Sequence, residues 1–154
     1  MPDWLTHTLI GWITGKITKL DIALVVIGSL IPDLVKINLA FVWFGIDHHY
    51  FFDPIHTPFG AIIIGGIIAL FFHDCKKAFI ALGVGIITHF ILDFFLVHIS
   101  GGMKLLFPFS WGEWQFYLIK SDDYLITIYT ILAAIITYLI YYMYGRLRIT
   151  KNEI

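Results

Sequence analysis

The sequence predicts an all-α membrane protein, a polytopic bundle of four to five helices in which one helix is broken at Pro32. Hydrophobic residues make up 59% of the 154 residues and charged residues 14%, whereas a soluble domain is near half apolar and a quarter charged. Residues 78–97 and 124–144 are apolar runs of about the length that a bilayer requires. The chain length fits a single membrane-embedded domain over residues 1–154.

Charge and cysteine content exclude two classes of protein. The net charge is -1 at pH 7, and no basic stripe is present to neutralise phosphates, so no nucleic-acid partner is expected. Cys75 is the single cysteine of the sequence, which excludes an internal disulfide framework. The lipid bilayer is therefore the partner that the composition predicts.

A first helix is predicted over residues 1–20. Pro2 and Asp3 suit a helix start, and Gly11 and Gly15 form a G-x-x-x-G pattern that lets another helix approach closely. The run is short for a full span, so a half-embedded helix is an alternative. His7 lies near the beginning of this helix.

The second apolar region, residues 21–46, is interrupted at Pro32. Proline has no N–H to donate and disfavours helical dihedral angles at the preceding residue, Ile31. A broken helix at membrane depth is tolerated only where it is buried in protein or lines a cavity. Asp33 follows the break, and two interpretations stay open: an ion pair with Lys36, or a functional intramembrane carboxylate.

The third and fourth helices follow a polar, aromatic loop. Residues 47–58 contain three histidines and two aspartates, and His56 directly precedes a helix start at Thr57 and Pro58. Helices are predicted over residues 59–72 and 78–97, and we interpret the polar turn at residues 73–77 as structural. His56 is then expected at the mouth of the bundle.

Two segments follow the fourth helix. Residues 100–123 carry Trp111 and Trp114 among other aromatics, which is typical of a segment lying at the membrane interface. Residues 124–144 contain no charge and no histidine. We therefore assign this last span to the scaffold.

The fourth helix carries the residue pair that suggests chemistry. His89 and Asp93 are four residues apart, so they share one helix face. Ionisable side chains in hydrocarbon are costly and need partners, and a metal ion would satisfy both. His7, Asp33 and His56 complete the candidate ligands, a set that suits zinc, or else manganese, iron or nickel. Asp33 or Asp93 is also a candidate catalytic base.

Two residues of the polar loop are candidates for supporting the ligands. Ligating histidines usually donate their second ring N–H to a carboxylate or another polar group. His49 and Asp53 closely precede His56. We therefore predict them as outer partners of the ligands.

Lysine and arginine positions predict the orientation. If the helices alternate in direction, Lys76, Lys77 and the basic tail from Arg146 fall on one side, whereas Lys104 and Lys120 fall on the other. We expect a multi-pass protein of the cytoplasmic membrane with a cytoplasmic C-terminus and an outward-facing site.

In order and spacing, the motifs resemble a known family. They are His7, Gly28 to Asp33, His56 with Thr57, Thr88 to Asp93, and the glycine-rich segment that leads to L-F-P-F-S, Gly101 to Ser110. This pattern resembles the predicted membrane-bound, metal-dependent hydrolases of the LexA-regulated inner-membrane kind. The H-x-x-x-D element is also similar, more distantly, to that of zinc-dependent phospholipases C. The resemblance implies a divalent metal, zinc first, and hydrolase activity.

The chain departs from that family's pattern in two places. Members often carry His-Arg shortly before the helix-opening histidine, but this sequence has no arginine before Arg146. If that arginine clamps an anionic substrate, the role is either unfilled in this chain or taken by Lys36 or Lys104. The stretch 34–46 is also longer than the family's usual connection.

Three functional hypotheses follow. The first is a metal-dependent hydrolase that uses a metal-activated water on a membrane-resident ester or phosphoester, as a phospholipase or phosphatase does. The second is an ion, proton or metal transporter, because intramembrane histidines and aspartates also build relays. The third is a scaffold whose buried histidines are merely satisfied. Metal content and metal flux into proteoliposomes discriminate among them.

Overall fold

The computed structural model describes residues 4–37, 43–44, 53–97, 102–116, 118–120 and 124–152. Within these ranges the chain is a helical bundle, which confirms the predicted all-α class. The α-helices are α1 (Trp4–Thr18), α2 (Ile22–Leu30), α3 (Pro58–Ala69), α4 (Cys75–Phe94) and α5 (Leu125–Asn152). Two 3-10 helices, Pro32–Ile37 and Asp53–His56, follow α2 and precede α3.

Helix α4 lies at the centre of the bundle and packs against α1, α2 and α3, whereas α5 packs against α1. Glycines allow the closest contact, between α2 and α4. A Cβ added at Gly28 would overlap the backbone of Leu82, and one added at Gly85 would overlap the carbonyl of Val25. Backbones that approach this closely are typical of helix packing in membranes.

The G-x-x-x-G pattern of α1 lies at a close contact with another helix, as predicted. A Cβ added at Gly11 would lie 3.2 Å from the Cα of Val26, and one added at Gly15 would lie 3.0 Å from the Cα of Ile22. Both positions therefore bring α1 close to the backbone of α2.

The break at Pro32 is gentler than predicted. Ile31 keeps helical dihedral angles, φ -53° and ψ -48°, so the expected displacement of Ile31 from the helical region is wrong. The chain continues as a 3-10 helix in which the Leu34 N–H donates to the Ile31 carbonyl at 3.1 Å. Proline is well suited to the first position of that helix, because its missing N–H would have no partner there.

Helix α4 begins and ends three residues earlier than the predicted 78–97. Asp74 caps its start, since its carboxylate accepts from the Lys77 N–H at 3.1 Å. The Lys77 ammonium also donates to that carboxylate and holds the pKa of Asp74 below its usual value. At the other end, Leu96–Val97 form a short strand that pairs in parallel with Ile119–Lys120.

Two of the described helical stretches, α4 and Leu125–Gly145 of α5, are long and apolar enough to cross a membrane by length and composition. The α5 stretch matches the predicted last span, and only 11% of its apolar window is buried inside the protein. An apolar face of that size needs a nonaqueous neighbour. The residues of the predicted interfacial segment are also open, since Trp111 and Trp114 are more than half exposed.

Candidate metal centre

Three histidine side chains converge on one aspartate. The Nε2 atoms of His56 and His89 lie 3.1 and 3.3 Å from Asp93 Oδ2. His7 Nε2 lies 3.3 Å from Asp93 Oδ1. The sequence separates these residues by up to 86 positions, and the fold brings all four together.

Helix α4 supplies His89 and Asp93 from one face, as the sequence predicts. Both side chains are fully buried. His89 Nδ1 lies 2.8 Å from the Ser29 carbonyl, to which only a protonated ring nitrogen can donate. Nε2 of the neutral ring then carries the lone pair, and it faces Asp93 and His56.

Helix α1 supplies His7, which is 1% exposed. Its ring stacks on that of His89, with centroids 3.9 Å apart and planes inclined by 16°. The Ser29 hydroxyl lies 3.0 Å from the His7 carbonyl and 2.8 Å from the Val26 carbonyl. Ser29 therefore contacts the backbone of one histidine with its hydroxyl and the ring of another with its carbonyl.

His56 enters from the turn that precedes α3. Thr57 fixes this turn, because its hydroxyl donates to the Pro54 carbonyl at 2.6 Å and accepts from the Gly60 N–H at 3.1 Å. The His56 side chain is 15% exposed, against 1% for His7 and less for His89. His56 is the outermost of the three, which agrees with its predicted place at the mouth of the bundle.

Asp33 forms the predicted ion pair, and its functional role stays a prediction. Lys36 Nζ donates to Asp33 Oδ2 at 2.7 Å, so the ion pair is present. Asp33 is also buried beside the histidines, and one ligand atom each from His7, Asp33 and His89 lies within 4.8 Å of the others. Among the described residues, Asp33 Oδ1 has no hydrogen-bond partner.

Asp53 is the one of the two predicted outer partners that lies in the described part of the chain. Asp53 lies on the same 3-10 helix as His56 and accepts from Lys104 Nζ at 3.2 Å. Its role behind a ligating histidine stays a prediction, and His49 lies outside the described residues. Sequence reasoning missed Ser29, whose carbonyl orients His89. Its position inside the Gly28 to Asp33 motif was the available signal.

The spacing of the donor atoms suits a metal ion. Ligands bound at about 2.0–2.1 Å around a tetrahedral zinc lie about 3.4 Å from one another. The Nε2 atoms of His56 and His89 are 3.3 Å apart, and each lies at a similar distance from Asp93. The donor atoms are imidazole nitrogens and carboxylate oxygens, and both types also fit a divalent ion.

Buried polar atoms left without a hydrogen bond make the same point. His7 Nε2 lies near Asp93 Oδ1 but is not aligned for a hydrogen bond to any described residue. Asp33 Oδ1 also has no hydrogen-bond partner among the described residues. Buried polar groups in folded proteins are nearly always paired. A cation bound among these atoms would satisfy both.

Fold and site together define a class: a helical membrane protein with a buried histidine–aspartate cluster between its helices. Comparison with protein families gives the particular family. The model of the YdjM inner membrane protein family matches residues 2–151, so the chain belongs to that family. No curated protein and no solved structure matches the chain significantly. The hydrolase part of the resemblance stays a prediction.

Proposed function

We propose that the cluster binds a divalent metal ion, zinc first, and that the protein hydrolyses a membrane-resident ester or phosphoester. The observation that carries the proposal is the convergence of His7, His56 and His89 on the Asp93 carboxylate, with each nitrogen within 3.3 Å of an oxygen. This arrangement is buried in a bundle whose outer faces are apolar.

The buried groups hold and orient the site. His56, His89 and Asp93 supply a compact set of donors, and the Ser29 carbonyl keeps the His89 lone pair directed into it. A metal ion bound there would supply the positive charge that acidifies a water molecule and polarises an ester or phosphoryl oxygen.

The two carboxylates give the site its acid–base capacity. Hydrolysis joins a water oxygen to the carbonyl carbon or the phosphorus, breaks the bond to the leaving oxygen and delivers a proton to that oxygen. Asp33 either completes the ligand set or accepts the proton from water. Asp93 is enclosed by three imidazole rings, so we assign it to the ligand set.

The position of the site suits a substrate that comes from the bilayer. His56 is partly exposed at the edge of the cluster, while the remaining donors are buried among helices. Lys36 pairs with Asp33, and Lys104 pairs with Asp53 on the 3-10 helix that carries His56. Each lysine also lies over a tryptophan ring. Lysine with tryptophan is typical of the membrane interface, where the polar head of a lipid ester lies.

The test is hydrolysis of a bacterial phospholipid mixture by detergent-purified protein with zinc or manganese, followed by mass spectrometry of the products. We expect metal-dependent release of a headgroup or fatty acid, and at least a 100-fold loss in Asp93→Asn. Asp74→Asn is the matched control, because Asp74 caps α4 at an exposed position.

Absence of any metal-dependent product would contradict the proposal. Uptake of the metal into proteoliposomes that contain the protein, without hydrolysis, would favour the transport hypothesis instead.

A further inference from the structure

We infer that the cluster holds two metal ions, bridged by Asp93, and that its substrate is a phosphoester. This inference rests on the proposed metal centre. Beyond that centre, each ligand is assigned to one of two ions, and the bond that is broken is named.

The stacking of His7 on His89 is the first observation. The lone pair of a ring nitrogen lies in the plane of its ring, so an ion bound by two histidines must lie in both ring planes. The planes of His7 and His89 are inclined by only 16° with centroids 3.9 Å apart. Such planes meet on the order of 10 Å away, far beyond a bond of about 2 Å. The two rings cannot share an ion in this arrangement.

The pair of His56 and His89 has the opposite geometry. Their rings are inclined by 73°, and their Nε2 atoms are 3.3 Å apart. The two ring planes therefore cross close to both nitrogens, which is the geometry of two ligands on one ion. Asp93 Oδ2 lies within 3.3 Å of both nitrogens, and the three donors define a first ion.

The second oxygen of Asp93 faces the other way, toward His7. Asp93 Oδ1 lies 3.3 Å from His7 Nε2, and ligand atoms of His7, Asp33 and His89 lie within 4.8 Å of one another. Asp33 is only 2% exposed, and its Oδ1 atom has no hydrogen-bond partner among the described residues. His7 Nε2 and Asp93 Oδ1 thus face a second position. Because His89 cannot share an ion with His7, we assign Asp33 to this second ion as the neighbour of His7, which gives Asp33 the role of ligand in preference to that of base.

His89 cannot serve both ions. Its Nδ1 is engaged with the Ser29 carbonyl at 2.8 Å, so Nε2 alone is available. Among the described residues, the carboxylate of Asp93 is the group that offers one oxygen to His7 and the other to His56 and His89. We therefore assign it as the bridge between two ions, which paired-metal sites hold about 3.5–4 Å apart.

Charge then selects the substrate class. Two divalent cations carry four positive charges, and the Asp33 and Asp93 carboxylates offset two of them. The remaining positive charge is costly in a buried site unless an anion offsets it. A phosphoester supplies that anion, and paired ions suit the attacking and leaving oxygens of phosphoryl transfer.

Counting bound ions tests the inference. Purified protein would be loaded with zinc, desalted and measured by elemental analysis against amino-acid analysis. We expect two ions per chain in the wild type and in Asp74→Asn, and one ion in His7→Ala, in Asp33→Asn and in His56→Ala. Size exclusion in detergent and helical circular dichroism would show that each variant is folded.

Electron paramagnetic resonance of the manganese-loaded wild type provides a readout that needs no variant. Two ions that share Asp93 should give an exchange-coupled spectrum, and inorganic phosphate should change it. A wild type with a single ion and an uncoupled six-line spectrum would overturn this inference and leave the proposed hydrolase intact. Absence of any bound ion would overturn both.

Discussion

At the scale of single residues, the site depends on how the ring of His89 is held. Its Nδ1 proton goes to the Ser29 carbonyl, and its Nε2 points at Asp93. A backbone carbonyl in this role is common behind histidines that bind metals. The sequence displays the histidine but not the carbonyl, because every residue carries one.

The Ser29 hydroxyl gives a first prediction. In the interior of the protein it lies 3.0 Å from the His7 carbonyl and 2.8 Å from the Val26 carbonyl. We expect Ser29→Ala to destabilise the protein by about 1 kcal/mol, since a buried hydrogen bond is lost. Thermal unfolding in detergent measures this. Thr137→Ala is the control, because its hydroxyl bonds within an exposed helix. An equal loss in both variants would contradict a special role for Ser29.

Thr57 gives a second prediction, for the placement of His56. Its hydroxyl ties Pro54 to Gly60 across the turn. Thr57→Ala removes the N-cap of α3, which costs about 1 kcal/mol, and we expect weaker zinc affinity by isothermal titration because His56 is less well held. Thr57→Ser keeps the hydroxyl and should restore affinity. A Ser variant as weak as the Ala variant would contradict this positioning role.

At the scale of elements, the crossing of α2 and α4 positions the centre. Gly28 and Gly85 let the two backbones touch. This contact fixes the position of His89 and Asp93 along the α4 axis relative to Ser29 and Asp33. Chain patterning predicts the helices themselves, but it does not predict which glycine is buried at a crossing.

Two glycines of α4 allow the effect of close packing on stability to be distinguished from the effect of helix propensity. Gly85→Ala should destabilise the protein by about 1–3 kcal/mol, because its methyl group overlaps the Val25 carbonyl. Gly83→Ala should leave stability unchanged or raise it by up to about 1 kcal/mol, since no described atom lies within 4 Å of its Cβ. Melting temperatures in one detergent compare the two. Equal effects would contradict the close crossing of α2 and α4.

The elements also show where sequence reasoning succeeds. Polar residues inside apolar runs stand out, which is why the sequence predicts His7, Asp33, His89 and Asp93 as candidates, whereas His56 is predicted from its place before a helix start. Helix ends were less accurate. Asp74 starts α4 through a side-chain cap, and Leu96 leaves the helix to pair with a strand more than twenty residues later. Such a long-range pairing has no local signature.

At the scale of the whole molecule, the bundle is built for two surroundings. The helices around the centre enclose buried polar groups, whereas α5 presents Ile, Leu and Tyr side chains outward over most of its length. Membership of an inner membrane protein family explains that surface. The orientation of the bundle in the membrane stays a prediction from lysine and arginine positions.

Cys75 allows that orientation to be measured. It is exposed at the start of α4, on the side that the charges place in the cytoplasm. A membrane-impermeant maleimide should leave Cys75 unlabelled in intact spheroplasts and label it after permeabilisation. Phe109→Cys in a Cys75→Ser background should behave in the opposite way. Phe109 is 95% exposed and follows Lys104, which pairs with Asp53 on the 3-10 helix that carries His56. Labelling of Cys75 in intact spheroplasts would reverse the orientation.

The most direct test of a histidine–aspartate metal centre is X-ray absorption at the metal edge of the purified, zinc-loaded protein. The account predicts a first shell of nitrogen and oxygen at about 2.0–2.1 Å with imidazole scattering, and no sulfur at about 2.3 Å, because Cys75 is the single cysteine and lies at the far end of α4 from the site. Asp93→Asn should lose most of the metal. A protein that binds no metal after loading, or one with a sulfur shell, would contradict the account.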